Sequence, residues 1–309
     1  MSQETVTTKS ALESLCSFYE DCGIDWLTEE QPQDQITAYQ QQLEQKAQLS
    51  APSVQDAAPQ KQFQPTAGIS AQAQSASLMG GATESADVMA TPEAVKQAVE
   101  LAEGANTLDD LKKAIEGFEG LAIKHTASRM VFASGNPQAP LMVIGEAPGG
   151  DEDRQGEVFV GEAGHLLDKM LAAISCSRQP KDSEISAYLS NVINWRPPGN
   201  RTPTPQEIEI SLPFIERHIQ LAEPKVIFLL GNVAAQNLLG RQDGISKLRG
   251  QWMEWEPKTI KKVDGFSPIP VLASYHPAFL LKNSMQKRKS WQDLLSLKER
   301  LKTTAKQDG

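Results

Sequence analysis

The chain has 309 residues, enough for one large domain or two small ones, and carries a formal net charge of −9. It has no apolar run of about 18 residues, which excludes a membrane-spanning helix, and its N-terminus lacks the apolar core of a secretory signal. Its three cysteines, Cys16, Cys22 and Cys176, provide no disulfide framework and favour a reducing compartment. We therefore expect a cytoplasmic protein.

The net negative charge arises entirely from the first part of the chain. Residues 1–90 carry 12 acidic and 3 basic side chains, whereas residues 91–309 carry 27 of each. The second part is therefore neutral overall and remains free to present a local basic face to a nucleic acid.

The N-terminal part has two components. Residues 8–27 have the pattern of one short amphipathic helix, which Gly23 is expected to end. Residues 31–90 are dominated by Gln, Ala, Ser and Pro and have too few large apolar side chains to offset the entropy cost of ordering. We predict a disordered acidic extension over residues 1–90 and a single domain over residues 91–309. The leading helix is either a docking peptide for a protein partner or a tail without function.

The remainder of the chain alternates helix and strand patterns. Thr91 and Pro92 begin a helix as N-cap and first helical residue, and a second helix starts near Thr107. Short apolar runs predict four strands, at residues 141–144, 187–193, 225–230 and 269–273. Further helical patterns lie at residues 164–175, 205–222, 232–239 and 291–301. This alternation predicts an α/β fold whose parallel sheet is covered by helices on both faces.

The first candidate site segment, residues 140–167, begins with the first of these strands. The glycine- and proline-rich sequence at 145–150 cannot continue a strand, because Pro148 lacks an amide donor and glycine favours turn conformations. A strand, a glycine-rich turn with acids and then a helix is how α/β folds present a site at the carboxyl end of a sheet. Phe159, close to three acids at 151–153, is expected to be a solvent-exposed aromatic side chain. The alternative is a plain connecting loop.

The second segment, residues 190–205, begins at the end of another strand. The Asn191 amide offers both a donor and an acceptor, which suits the Watson–Crick edge of a base, although it also suits a turn. Arg196 and Arg201 follow in a loop stiffened by proline and glycine, and guanidinium groups match the geometry of phosphate oxygens. The alternative is that these arginines pair with acids such as Glu207.

The third segment, residues 274–281, places His276 at the carboxyl end of the last predicted strand. An apolar knuckle and flanking cations follow it: Phe279, Leu280, Leu281, Lys282 and Arg288. An apolar wedge among cations is what a protein needs to enter a duplex while holding its phosphates. A buried helix start would use the same three apolar residues.

Taken together, these segments resemble family 4 of the uracil-DNA glycosylases. The matching stretches run in the family's order: GEAPGGDED at 145–153, GEVFVGEAGHLLDKML at 156–171, NVINWRPPGNRTP at 191–203, PKVIFLLG at 224–231 and HPAFLL at 276–281. The resemblance implies a three-layer α/β/α sandwich around a four-stranded parallel sheet. It also implies hydrolysis of the N-glycosidic bond between uracil and deoxyribose in DNA, the first step of base-excision repair, with the base flipped out of the helix.

The resemblance further implies roles for individual residues. The expected uracil-binding residues are Glu146, Ala147, Pro148, Phe159, Asn191 and His276. Phe159 would stack on the uracil and Asn191 would hydrogen-bond its edge. His276 would donate to the uracil O2 and stabilise the anion of the leaving base, while Glu146 would position water or offset the positive charge of an oxocarbenium-like sugar.

One departure concerns the iron–sulfur cluster that the family typically binds through four cysteines. The aligned positions hold Phe118, Leu121, Trp195 and Ser211 in this chain, and its three cysteines lie elsewhere. We therefore expect no cluster and no other metal cofactor, with apolar packing in the place of the cluster. A second departure is Val158, where the family usually has proline.

Three functions remain open at this point. The first is a uracil-DNA glycosylase that acts as a monomer on uracil-containing DNA, and the second is a non-catalytic DNA-binding protein on the same fold. The third, a phosphate-binding α/β enzyme, is disfavoured because residues 145–150 lack the Lys-Ser/Thr of a P-loop and the spacing of a dinucleotide fingerprint. The joint presence of Phe159, Asn191 and His276 favours the first, since binding alone does not need all three.

Overall fold

The computed structural model describes residues 92–181 and 184–305. The predicted leading helix, the predicted linker and the Thr91 cap lie outside these residues. Within them, no helix combines the length and the apolar character that crossing a bilayer requires.

The described residues form nine α-helices and seven strands. The helices are α1 (Pro92–Gly104), α2 (Leu108–Gly117), α3 (Gly150–Gln155), α4 (Glu162–Ala172), α5 (Pro205–Ala222), α6 (Asn232–Leu239), α7 (Ile245–Leu248), α8 (Pro277–Lys282) and α9 (Lys287–Ala305). The strands are β1 (Ala133–Gly135), β2 (Leu141–Gly145), β3 (Cys176–Ser177), β4 (Ile185–Asn191), β5 (Val226–Leu230), β6 (Trp252–Trp255) and β7 (Ile269–Ser274). Short 3-10 helices occupy Ala122–Thr126, Pro198–Asn200 and Ser284–Gln286.

Four parallel strands form the centre of the sheet, in the order β4-β2-β5-β7. The four apolar runs in the sequence account for these strands, so the predicted four-stranded parallel sheet is confirmed. The structure adds antiparallel edges that the sequence did not predict, with β1 beside β4 and β6 beside β7, and a short parallel pairing of β3 with β4. Gly145 at the end of β2 pairs with Asn191 at the end of β4, which aligns the ends of the two strands.

Helices cover both faces of the sheet, which confirms the α/β/α layers. Met142 and Ile144 point to one face, where they belong to a core with side chains of α1, α2, α5 and α6. Leu141 and Val143 point to the other face, where α4 and α9 supply the packing residues. Every residue of β2 and β5 is buried, as expected for central strands of a sheet covered on both sides.

A buried polar network lies beneath β4. The Tyr188 hydroxyl lies 2.9 Å from Nε2 of His218, and the Ser190 hydroxyl lies 3.5 Å from Nδ1 of the same ring and donates to the Phe132 carbonyl at 2.8 Å. The Phe132 ring stacks on the imidazole, with 4.4 Å between the ring centres. Burial lowers the pKa of His218 to about 3, so this histidine is neutral at physiological pH.

This buried histidine predicts that the protein loses stability as the pH falls below 6.5. In the unfolded chain the imidazole takes up a proton near its ordinary pKa of 6.5, whereas the folded chain keeps it neutral down to about 3. The free energy of unfolding should therefore fall by about 1.4 kcal/mol per pH unit for this one group. Urea unfolding at about pH 7 and about pH 5 measures the slope, which should be smaller in His218→Gln.

The matched variant is Tyr188→Phe, which removes the hydrogen bond to Nε2 but keeps the histidine. It should retain the pH slope of the unmodified chain. Equal slopes in the unmodified protein and in His218→Gln would show that the imidazole does not carry the pH dependence.

Candidate active site

Three polar side chains meet at the carboxyl edge of the parallel strands. Glu146 follows β2, Asn191 ends β4 and His276 follows β7. They border a cavity of about 270 Å³, a size suited to a ligand smaller than a drug-like molecule. The lining residues are Glu146, Ala147, Pro148, Gly149, Glu152, Phe159, Ala163, Asn191, Pro197, Asn200, Arg201, His276 and Ala278. All six residues predicted to bind uracil therefore border one cavity.

Gly145 allows two of these side chains to approach the sheet closely. A β-carbon at this position would lie 2.5 Å from Oδ1 of Asn191 and 2.6 Å from Cζ of Phe159, closer than real contacts of such atoms. The Asn191 side chain and the Phe159 ring therefore occupy the space that any other residue at 145 would fill. Asn191 is almost fully buried at 3% exposure, so its amide is held within the wall of the cavity.

The His276 imidazole is arranged to donate from its Nε2 atom. Nδ1 accepts a hydrogen bond from the Ala278 amide at 3.2 Å, so the proton of the neutral ring resides on Nε2. Although the ring borders the cavity, desolvation by the surrounding protein lowers its pKa to about 4, and the Glu152 carboxylate opposes that shift only in part. A neutral donor is therefore present at physiological pH.

Glu146 is a half-buried carboxyl group in the cavity wall. Burial alone raises its pKa above the ordinary value of 4.5. The main chain beside it is anchored, because its carbonyl accepts from the Ile193 amide at 3.1 Å. A carboxylate with a raised pKa is a better proton acceptor than an ordinary surface carboxylate.

The Phe159 ring forms part of the apolar wall and is only 5% exposed. The expectation of a solvent-exposed aromatic side chain was therefore wrong. The ring packs against Gly145, and its centre lies 5.8 Å from the centre of the His276 ring. The cavity thus combines an aromatic wall with polar side chains, a combination that suits a flat heterocycle.

This geometry is accompanied by a clear family match. The model of the uracil DNA glycosylase superfamily matches residues 132–295, more than half of the chain. The chain belongs to the uracil DNA glycosylase superfamily. Its cavity lies inside the matched region, and so do the carboxyl ends of all four central strands.

Several curated members of this superfamily are similar over most of their own length. The type-4 uracil-DNA glycosylase of Archaeoglobus fulgidus is 38% identical over 179 residues, which cover 57% of this chain and 83% of that protein. The enzyme of the same name from Sulfurisphaera tokodaii is 29% identical over 198 residues, 63% of this chain and 84% of its own. The enzyme of that name from Thermotoga maritima is 34% identical over 157 residues, which cover 50% of this chain and 73% of that protein.

The three acids after the glycine-rich turn lie on α3, where the sequence predicted a turn and the structure has a short helix. Asp151 forms an exposed ion pair with Arg154. The buried Asp153 accepts from the amides of Ser128 and Arg129 at 2.8 and 3.2 Å. These two acids therefore have structural partners. The third acid, Glu152, borders the cavity and is not among the predicted site residues. Its position three residues after Gly149 fits a capping box, which is the signal in the sequence that could have identified it.

Both loop arginines of this glycosylase-family chain are engaged by protein groups. Arg201 donates two hydrogen bonds to the Glu207 carboxylate, at 2.8 and 2.6 Å. The structure therefore shows the pairing with Glu207 that the sequence offered as the alternative to phosphate binding. Arg196 contacts Asn200 at 2.7 Å and lies 3.8 Å from Asp153. The Arg201 side chain is nevertheless 42% exposed and borders the cavity, which leaves part of its fork accessible.

Of the three apolar residues predicted to form a wedge, two lie at the surface and one lies in the core. Phe279 and Leu281 are 42% and 44% exposed, whereas Leu280 is fully buried on the inner side of α8. Including Leu280 in an exposed wedge was therefore wrong, because consecutive helical residues point to different sides. The exposed cations predicted beside it, Lys282 and Arg288, do lie at the surface.

The positions aligned with the family's cluster ligands do not fit an iron–sulfur cluster. Phe118, Leu121, Trp195 and Ser211 are all buried, and none can supply a thiolate. The sole cysteine among the described residues is Cys176, which packs on the opposite face of the sheet and whose pKa burial raises to about 12. Within the described ranges, no group of three or more His, Cys, Asp or Glu side chains is placed to hold a metal ion.

Apolar and cationic side chains contact one another around these positions, and we call Phe118, Lys124 and Trp195 the clasp. The Phe118 ring meets Phe214 of α5 edge to face, with 5.3 Å between ring centres. The Lys124 ammonium donates to the carbonyls of Glu116 and Phe118 at 2.6 and 3.2 Å. It also lies 5.9 Å from the centre of the Trp195 ring, within the range of a cation–π contact. Ring contacts and hydrogen bonds therefore connect the segments that carry these four positions.

Proposed function

We propose that this protein is a uracil-DNA glycosylase that hydrolyses the N-glycosidic bond of deoxyuridine in DNA. The observation that carries the proposal is the convergence of Glu146, Phe159, Asn191 and His276 on one cavity of suitable size, in a chain that belongs to this superfamily. The reacting bond of a stacked base is unreachable, so the deoxyuridine must be flipped out of the helix into the cavity. Excision of uracil initiates base-excision repair.

The residues divide the chemistry between the base and the sugar. The Phe159 ring stacks on uracil, and the Asn191 amide pairs with its edge. As the bond between C1′ and N1 breaks, its electron pair leaves with the uracil, and Nε2–H of His276 donates a hydrogen bond to the O2 atom where negative charge develops. Water adds its oxygen to C1′ and passes a proton to Glu146, whose raised pKa suits this role.

The DNA backbone is held by the surface around the cavity. We propose that Arg196 and Arg201 contact phosphates with the donors that their protein partners leave accessible. Lys282, the last residue of α8, and Arg288, in the first turn of α9, are exposed cations that follow the exposed Phe279 and Leu281 in the chain. These two apolar side chains fill the gap in the duplex that the flipped nucleotide leaves.

We also propose that the protein works without an iron–sulfur cluster, as a monomer in the cytoplasm. The four aligned positions offer no thiolate, and the clasp of Phe118, Lys124 and Trp195 provides an alternative contact between the same segments. The scarcity of cysteine in the sequence supports a reducing compartment.

The activity is tested with a DNA duplex that contains one uracil. The purified protein is incubated with the duplex, and hot alkali then cleaves any abasic site. We expect a strand break at the uracil position and none in a matched duplex with thymine at that position. Absence of cleavage by folded protein that still binds the duplex would overturn the proposal and favour a non-catalytic DNA-binding protein.

Removal of residues 1–90 should leave uracil excision intact. The predicted boundary at residue 91 places the acidic extension outside the catalytic unit, and the extension carries 12 acidic against 3 basic side chains. A truncated chain that begins at Thr91 should retain the excision rate and bind DNA at least as tightly, because repulsion of the phosphates is reduced. Rates and affinities of the two chains are compared at equal salt. A folded but inactive truncation would show that the leading helix belongs to the catalytic unit.

A further inference from the structure

The backbone at Phe159 adopts a conformation that aromatic residues rarely occupy. Its φ angle is +56°, in the left-handed region that favours glycine. A side chain in this region persists when the surrounding structure imposes it, and such residues cluster at functional sites. Contacts from the surrounding structure must therefore hold Phe159 in this conformation.

Arg178 donates hydrogen bonds to the main chain on both sides of the Phe159 α-carbon. Its Nη1 donates to the Val158 carbonyl at 2.7 Å, and its Nη2 donates to the Phe159 carbonyl at 2.9 Å. Its Nε donates to Asp168 at 2.9 Å, which orients the planar guanidinium group. The Arg178 side chain is only 12% exposed, so solvent competes little for these bonds. Because the fork is rigid, two carbonyls held by it are fixed relative to each other.

The following residues are held as well. Glu152 accepts from the amides of Val160 and Gly161 at 3.2 and 3.3 Å, and its other oxygen accepts from Gly149 at 3.1 Å. The Phe159 carbonyl also packs against the first turn of α4, where a β-carbon at Gly164 would lie 1.8 Å from it. Both peptide groups that flank Phe159 are thus fixed by contacts from other elements.

The consequence is the direction of the aromatic ring. A relaxed backbone with negative φ would rotate the bond from the α-carbon to the β-carbon, and the ring would leave its position beside Gly145 and His276. We propose that Arg178, oriented by Asp168, is a positioning residue for base excision, because it holds the backbone conformation that directs Phe159 onto the base. The inference rests on the proposed glycosylase function. It adds to that function a residue outside the cavity wall.

A double-mutant cycle tests whether Arg178 acts through Phe159. Arg178→Lys keeps the charge but lacks the planar fork, and we expect it to slow single-turnover excision at saturating enzyme by about tenfold. Phe159→Ala should slow excision by at least as much. Adding Arg178→Lys to Phe159→Ala should have almost no further effect, since the ring to be positioned is already gone. Affinity for the duplex should be nearly the same in all four proteins.

The matched control is Arg154→Lys. Arg154 is an exposed arginine on α3 that pairs with Asp151 and touches neither carbonyl. This variant should keep the excision rate. An unchanged rate in Arg178→Lys would overturn the proposal. So would an equal slowing in the presence and absence of the Phe159 ring, because it would mean that Arg178 supports the structure in general.

Amide hydrogen exchange provides a readout that does not depend on activity. Arg178→Lys should accelerate exchange at Val160 and Gly161, whose amides are bonded to Glu152, while exchange in the central strands stays unchanged. Unchanged exchange at these amides would contradict the proposal that Arg178 holds this backbone conformation, even if excision were slower. If the unmodified chain cleaves no uracil, the proposed function fails, and the positioning role in excision fails with it. Accelerated exchange would still establish that Arg178 holds the backbone of this turn.

Discussion

His276→Ala is expected to slow single-turnover uracil excision by about a hundredfold, because a positioned donor to developing charge is typically worth about 3 kcal/mol. The affinity for DNA should remain nearly unchanged. The reason lies in the hydrogen bond from the Ala278 amide to Nδ1, which commits the ring proton to Nε2, and in the lowered pKa, which keeps the ring neutral. The rate is measured at saturating enzyme, so that weaker binding does not contribute.

Two further variants separate this chemical role from structural effects. His276 is also the N-cap of α8, so His276→Asn keeps a capping acceptor while removing the donor at the Nε2 position. It should be about as slow as the alanine variant. Arg196→Ala should instead weaken binding and reduce its salt dependence, with little change in the saturated rate. An unchanged saturated rate in both His276 variants would contradict the role given to this imidazole.

Glu146→Gln is expected to reduce the saturated excision rate by about a hundredfold or more, since a positioned general base typically contributes a factor of 10² to 10⁴. The pH profile should change as well. Burial raises the pKa of Glu146, so in the unmodified protein the rate should fall on the acid side as the pH drops through that raised pKa and the carboxylate becomes protonated.

The glutamine variant cannot titrate, and the acid limb should therefore be absent from its slower profile. Single-turnover rates across the acid range, with circular dichroism at each pH to confirm folding, measure both effects. An acid limb of the same position and depth in Glu146→Gln would show that another group controls it. A rate unaffected by the substitution would contradict a role for Glu146 in activating water.

The central sheet could be predicted because its strands are buried on both faces. Every residue of β2 and β5 faces a core, so the sequence there is a continuous apolar run. The edge strands β1 and β6 are mostly half-buried or exposed, and their sequences carry no such run. The six-residue helix α3 was missed because it begins with glycine and carries three acids, whose partners include residues distant in sequence.

The candidate site could be predicted where strand ends define it. Glu146, Asn191 and His276 each lie at the carboxyl end of a parallel strand, and such ends meet at one edge of a sheet. The burial of Phe159 was not predictable in the same way, because it depends on Arg178 and Glu152, whose contacts follow no local pattern. Leu280 was misplaced for a different reason, since the direction of a side chain depends on where α8 begins.

The most direct test of a uracil-DNA glycosylase that works without a cluster is to measure uracil excision and iron content on the same preparation. Aerobically purified protein should be colourless, should contain no stoichiometric iron or sulfide, and should cleave the uracil-containing duplex. Addition of iron and sulfide under reducing conditions should leave the excision rate unchanged. A brown preparation whose activity rises and falls with its bound iron, or an iron-free folded protein that excises no uracil, would contradict the account.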